Sequence, residues 1–394
     1  MPTFDLETIN AFVLHKHHLT PASTLSEIPT IVQDISGLHA TGPTVPYLSL
    51  HARHTDFAKG LLEDELYVKN SMAKIRCVRK TIYIHTREML PIVHAATTNV
   101  VEKASRRFME TRGISDDDYA RVSKTIRDLL SEQEMTASGI KAALHSSLDI
   151  SSILYFMCDQ GILVRGRPEK SWKDKKQQYA LFANYFPDVD LAQFDEKEAI
   201  QLLVAYYLAS FSPVTEGDIL WWTGLGKYKI CQSLEELGDK LMHVSIPGLE
   251  GDHIMLRSDL DAMSRVSMPR GLTIALLPHL DPYLMGYKKR DRYLNPQHTS
   301  WVFDRSGNAT STILVNGRVV GVWDYIEQEM PSIKLHFFSQ PRPGILDATL
   351  HEAQKLGNFI ADGETKITQS NSMPPLVERS AGGFMSPLRH DGPG

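Results

Sequence analysis

Residues 116–182 constrain the fold most, because their periodicity switches from helical to extended within one short stretch. Val122, Ile126, Leu129 and Leu130 recur at i, i+4, i+7 and i+8, the stripe of an amphipathic helix. Thr136-Ala137-Ser138 supplies N-cap chemistry for a short helix through Leu144, and Asp149 opens a third helix that stops before Gly161. Ile162-Leu163-Val164 then reads as a strand, Arg165 to Lys176 as a charged loop, and Gln178 to Phe182 as a returning strand. Two short helices after a longer one, closed by a hairpin, predict a winged helix. In such a unit the third helix usually enters the major groove and the wing touches flanking phosphate.

The pattern returns on both sides. Ala199 to Ser210 reads as an apolar helix broken at Pro213, and Thr215-Glu216-Gly217-Asp218 resembles a capping box opening a helix through Trp222. A helix near Ser233 to Leu241 and strands around His243–Ile246 and His253–Leu256 complete that unit. The N-terminal residues offer helices near Leu6–Leu14 and Ile28–Leu38, another from Val45, and strands at Ile75–Val78 and Ile82–His85. After Ser264 the chain becomes strand-rich, with runs at 272–277 and 312–323, the second carrying an Asn316-Gly317 hairpin signal. One further strand is expected within 336–340 and a helix near Ala348–Ala361. The expected class is α+β: winged helices at 1–110, 111–190 and 191–260, a β-rich unit at 261–362 and a flexible tail at 363–394.

A chain of 394 residues accommodates two to four domains at about 150 residues each. Its net charge of −5 excludes a generally basic nucleic-acid coat, so any DNA contact must come from local patches. Three such clusters occur. Nine Lys or Arg face two acids between Lys69 and Arg107, six face two between Val164 and Lys176, and Lys288-Lys289-Arg290-Asp291-Arg292 is the third. Cys77, Cys158 and Cys231 lie far apart, which excludes a disulfide framework and a zinc ribbon. His15, His17 and His18 lack a Cys or Glu at ligand spacing, so they read as exposed helix histidines and no metal is expected. No apolar stretch of about 18 residues and no basic-then-apolar leader is present, consistent with a cytoplasmic protein, nucleoid-associated when on DNA.

Several segments together resemble one family. They are Gly37-Leu38-His39-Ala40-Thr41 with Val45-Pro46-Tyr47, Val78 to Tyr83, Pro213 to Leu225, Leu276 to Tyr287, and Val315 to Trp323. Each is short alone, but their shared order and spacing resemble the winged-helix DNA glycosylases, the family of AlkZ and AlkX (YcaQ). The resemblance implies three tandem winged helices around a DNA channel. It also implies hydrolysis of the bond joining an alkylated or bulky-adduct purine, including a crosslinked one, to deoxyribose. The family's catalytic signature places Gln, an apolar residue, then Gln or Asp after a Gly-Leu pair; His39 and Thr41 stand at those polar positions here. Lys80 and Tyr83 likewise stand where the family carries Gly and His.

A purine alkylated at a ring nitrogen is already a good leaving group, so the remaining task is to position a water beside an oxocarbenium-like centre. Neutral His39 could take a proton from that water and Thr41 could orient it. The alternative is that His39 packs at a helix end and Thr41 begins the next turn. Asp34 could support His39 or be a surface residue, and Asp281 could face the channel or be a turn carboxylate. Trp221, Trp222 and Trp323 could stack on a base, though core packing is the favoured role. Arg79, Lys80, Arg165, Arg167, Lys288, Arg290 and Arg292 are the expected DNA-backbone contacts. Three different winged helices in cis favour a monomer enclosing double-stranded DNA, acting without a cofactor. Lysine is absent from the Gly37–Thr41 motif, which favours monofunctional base release over lyase chemistry. The competing reading is a non-catalytic winged-helix DNA-binding protein, a regulator or damage sensor.

Overall fold

The computed structural model describes residues 1–370 and 372–378. Left-handed backbone decides the layout of the N-terminal third. Helix Leu6–Lys16 starts at Asp5, whose carboxylate accepts the Thr8 N–H at 2.7 Å. Helix Ile28–Asp34 stops short of the expected Leu38 because Ser36 (φ 54°) and Gly37 (φ 96°) reverse the chain. Leu38–His39 therefore becomes a strand, pairing antiparallel with Ile82–Thr86 in the register Leu38↔Ile84 and His39↔Tyr83. Met72–Arg76 completes this sheet on the other side of Ile82–Thr86.

The 22-residue helix Leu90–Thr111 leads into the central region. Helices Asp116–Glu132, Ala137–Leu144 and Ile150–Asp159 are capped by Ser115, Thr136 and Asp149, so the last two caps are those the sequence offered. Strands Met135–Thr136, Leu163–Pro168 and Gln177–Leu181 form a sheet with Gln177–Leu181 in the middle. One expectation changes here. Eight of the ten residues of Ile150–Asp159 are buried, because the helix is apolar nearly all round and lies against Leu90–Thr111. It cannot enter a groove as a free recognition helix.

Helix Glu196–Phe211 packs on the same long helix. The capping box forms as expected: Thr215 Oγ1 accepts the Asp218 N–H at 3.2 Å and Asp218 Oδ2 accepts the Thr215 N–H at 2.9 Å. Helix Lys227–Leu237 starts well ahead of Ser233, directly after the Gly224–Gly226 turn, and strands Leu241–Val244 and His253–Leu256 pair behind it. The C-terminal sheet runs Lys366–Gln369, Ser332–Phe337, Arg318–Ile326, Thr312–Val315, Ile274–Leu277, with helix Pro343–Ala361 against it. Asn316 (φ 47°) and Gly317 (φ 76°) make the hairpin turn. Lys366–Gln369 falls inside the segment expected to be a loose tail, yet it pairs in parallel with Ser332–Phe337 in the register Ile333↔Ile367. The 379–394 part of that expectation lies outside the described residues. Among the described residues no helix is long and apolar enough to cross a membrane.

Two buried ion pairs tie these units together. Arg53 donates to both Asp281 oxygens, at 2.8 and 2.7 Å, with both side chains fully buried. Arg76 Nη1 donates to Asp159 Oδ2 at 2.8 Å, linking the N-terminal sheet to helix Ile150–Asp159. Removing one partner strands a charge in the interior, so Arg53→Met should lower unfolding free energy by about 3–5 kcal/mol in urea titration. Replacing both, Arg53→Met with Asp281→Ala, should recover part of that loss, because no unpaired charge then remains.

Candidate functional site

The candidate site forms where the strand Leu38–His39 ends. Ala40 N donates to Ile82 O at 2.7 Å, and Thr41 Oγ1 accepts the Ile82 N–H at 3.4 Å, so the loop after His39 is laced to the neighbouring strand. Thr41 N lies 3.4 Å from His39 Nδ1, a contact that favours the neutral tautomer carrying its proton on Nε2. The His39 ring is 4.9 Å from Tyr83, which in turn stacks on His85 at 5.8 Å. A Cβ on Gly42 would meet His279 Nε2 at 2.8 Å, so His279 of the C-terminal unit closes over the same loop. Thus His39, Thr41, Tyr83 and His279 converge from three distant stretches. His39 is only 1% exposed, whereas Thr41 is partly exposed.

The floor of this site is apolar. Burial pushes the His85 pKa down to about 3, and pushes the Cys77 thiol and the Tyr83 phenol up to about 12 each. The Arg79 charge opposes the shift at Tyr83. Cys77 Sγ lies 3.6 Å from His85 Nε2. Gly37 is required beneath this group: a Cβ there would stand 2.5 Å from His85 Cε1, and its φ of 96° already favours glycine.

Of the supporting carboxylates, neither reaches His39 through a described contact. Asp34 binds His18 Nε2 at 2.9 Å and is 45% exposed at its side chain. Of the two alternatives for Asp281 the turn carboxylate holds: it caps helix Pro282–Met285, and its oxygens take Arg53, the Ser49 hydroxyl at 2.8 Å and the Tyr283 N–H at 3.0 Å. It is a fully buried structural anion and does not face a channel. His17 and His18 are likewise buried rather than exposed, His17 between Phe211 and Tyr283, because helix Glu196–Phe211 covers the end of Leu6–Lys16.

The expected backbone contacts divide by burial. Arg167 and Lys288 are exposed, and Arg79, Lys80 and Arg290 are partly so. Arg165 and Arg292 are not available: they are 3% and 4% exposed. Arg292 Nη2 is spent on Pro213 O at 2.9 Å with its guanidinium 3.8 Å over Tyr287, and Arg165 points inward near Asp159. Trp222 and Trp323 are core residues, but Trp221 remains partly exposed. Arg79 (φ 51°) and Lys80 (φ 59°) both adopt left-handed backbone, at a cost of about 1–2 kcal/mol each. Arg76 Nε holds that turn by donating to Lys80 O at 2.9 Å. Residue patterns missed Arg53, Arg76 and His85, whose roles depend on partners far away in the chain; His279 was flagged only as part of a motif.

The family described as DNA glycosylase AlkZ-like matches residues 32–359. This chain belongs to that family. The interstrand DNA cross-link repair glycosylase of Streptomyces sahachiroi is 28% identical over 184 residues, 45% of this chain. The matched region spans 47% of that curated relative's length. The solved structure of Streptomyces sahachiroi DNA glycosylase AlkZ aligns with a TM-score of 0.75 at 18% identity, covering 93% of this chain and all of that one. At that identity the likeness establishes a shared fold. In this AlkZ-like chain, the left-handed φ of Lys80 also accounts for the glycine that the family pattern carries there.

The buried histidines set an acid limit. Folding depresses the pKa of His85 to about 3 and that of His51 to about 4, both through burial, against an ordinary value of 6.5. Below about pH 6.5 the unfolded chain binds protons that the folded chain refuses, so this contribution is complete above that pH and is lost as pH falls. Thermal melts should show the midpoint dropping between pH 7 and 5, and His85→Gln should flatten that dependence. An unchanged slope in the variant would show that His85 does not carry it.

Proposed function

We propose that this AlkZ-like chain is a monofunctional, cofactor-independent DNA glycosylase. Its substrates in this reading are alkylated or bulky-adduct purines in double-stranded DNA, crosslinked purines included. The reading has the chain acting as a monomer in the cytoplasm, nucleoid-associated when bound. Residues 1–110 carry the chemistry, 111–190 and 191–260 are further winged helices, and 261–362 is the β-rich unit. The observation that carries the proposal is the meeting of His39 and Thr41 at one strand end, at the two polar positions of the family signature. The cationic purine supplies the leaving group, so these side chains need only hold and orient the attacking water. With the Thr41 N–H on Nδ1, His39 orients water as a donor through Nε2, and the Thr41 hydroxyl completes the cradle. The His39 ring is buried in the free protein, so this reading requires the 40–44 loop to shift on DNA binding before water can reach it.

The same burial favours a second reading, a DNA-binding protein without catalysis. Single-turnover release of base from DNA carrying an N7-alkylated purine separates the two. Release should occur, leaving an alkali-labile abasic site, and His39→Ala should slow it by roughly 10²-fold while binding to undamaged DNA changes little. Thr41→Val should cost less, because bulk water partly replaces a hydroxyl. Borohydride should trap no covalent adduct. Full rate in His39→Ala would remove His39 from the chemistry, and no release by the unmodified protein would favour the binding-only reading.

A further inference from the structure

Arg79 and Arg290 come from chain segments more than two hundred residues apart, yet their guanidinium groups both lie against one indole. The Arg79 guanidinium lies 4.2 Å from the Trp221 ring centroid and the Arg290 guanidinium 5.5 Å from it. Arg290 also lies 3.5 Å over Phe303. Two cations held together in this way repel, and each is disfavoured further by burial. A stable fold would ordinarily place a carboxylate between them. None is there: among the described residues neither guanidinium forms an ion pair, and Arg79 forms no side-chain hydrogen bond. Arg290 donates Nη2 to Gly307 O at 3.0 Å and also has a hydrogen-bonding contact with the Tyr293 side chain, while its buried Nε has no partner.

The nearest relevant acid is Asp304, which acts on both arginines only at longer range. Its oxygens are occupied by its own loop, receiving Ser306 N and Asn308 N at 2.8 Å each and Asn308 Nδ2 at 3.0 Å. Arg79 is moreover held in strained left-handed backbone, packed 3.3 Å from where a Cβ on Gly224 would stand. Strain of this kind persists where the surroundings over-determine it, and it recurs at ligand clamps.

We infer that Arg79 and Arg290, gathered at Trp221, form a clamp for a single backbone phosphate of DNA. A phosphodiester supplies one negative charge and two free oxygens, enough to accept from both guanidinium forks and to quench their repulsion. Because this rests on the DNA-binding reading above, the test separates the two. The logarithm of affinity falls with the logarithm of salt by about 0.9 per phosphate contacted.

If both arginines hold one phosphate, the Arg79→Gln, Arg290→Gln double variant should flatten that slope by about 0.9 and neither single variant by more than that. Two independent contacts would instead give about 1.8 in the double variant. Arg79→Lys and Arg290→Lys keep the charge and should retain the slope, and melting curves confirm that each variant is folded. Scanning the strand with neutral methylphosphonates should reveal one position where unmodified protein loses about ten-fold in affinity at low salt and the double variant loses nothing. This arm also works with Arg290→Gln alone if Arg79→Gln does not fold. A loss near 1.8, or an unchanged slope with DNA binding intact, overturns the clamp alone. Failure of the unmodified protein to bind DNA overturns the clamp together with the reading beneath it.

Discussion

The Arg53–Asp281 pair is the joint on which the site depends. Taking both charges out of water is costly, and the cost is offset only because the geometry is bidentate and the remaining lone pairs are used by Ser49 and the Tyr283 N–H. In return it fixes how the stretch after helix Val45–His51 meets the segment 276–287 of the C-terminal unit. His279 lies two residues before Asp281 and packs on Gly42, so the same pair sets how the C-terminal unit closes over the loop that follows His39. The candidate site is therefore shared between two units and does not belong to the N-terminal one alone.

The second joint, Arg76–Asp159, reaches the left-handed turn at Arg79 and Lys80. Burial pushes the Asp159 carboxyl up, while Arg76, Arg165 and the Ser105 hydroxyl hold it down. Arg76 spends its Nη1 on Asp159 and Ser105 and its Nε on Lys80 O. One guanidinium thus anchors the central unit and braces the left-handed turn that presents Arg79 and Lys80. This arrangement explains how two consecutive non-glycine residues are kept at positive φ without a compensating turn sequence.

The site differs from the family signature in a chemically coherent way. His39 and Thr41 retain hydrogen-bonding capacity at both polar positions, but an imidazole needs more apolar support than an amide, and Tyr83 supplies it at 4.9 Å. Tyr83 in turn stacks on His85, which burial keeps neutral, so that ring adds no positive charge beside Tyr83. Arg79 acts on Tyr83 through its charge, and its guanidinium lies against Trp221.

What the sequence determined by itself was local. Caps at Thr136, Asp149 and Thr215, the Asn316-Gly317 hairpin and the helical stripe from Val122 to Leu130 all follow from interactions spanning a few residues. Those same rules could not tell exposed cations from buried ones. Arg165 and Arg292 look like their exposed neighbours Arg167 and Lys288, and only the packing of strand Leu163–Pro168 and of the 287–293 turn sends them inward. The burial of His17 and His18 and the Arg53 partner of Asp281 escape those rules for the same reason, since what buries them lies on helices and strands far along the chain. Helix Ile28–Asp34 ended early because Gly37 must pass under His85, a contact across 48 residues. Tertiary structure alone decided which charges meet water, because desolvation depends on every neighbour in space whereas periodicity registers only neighbours in sequence.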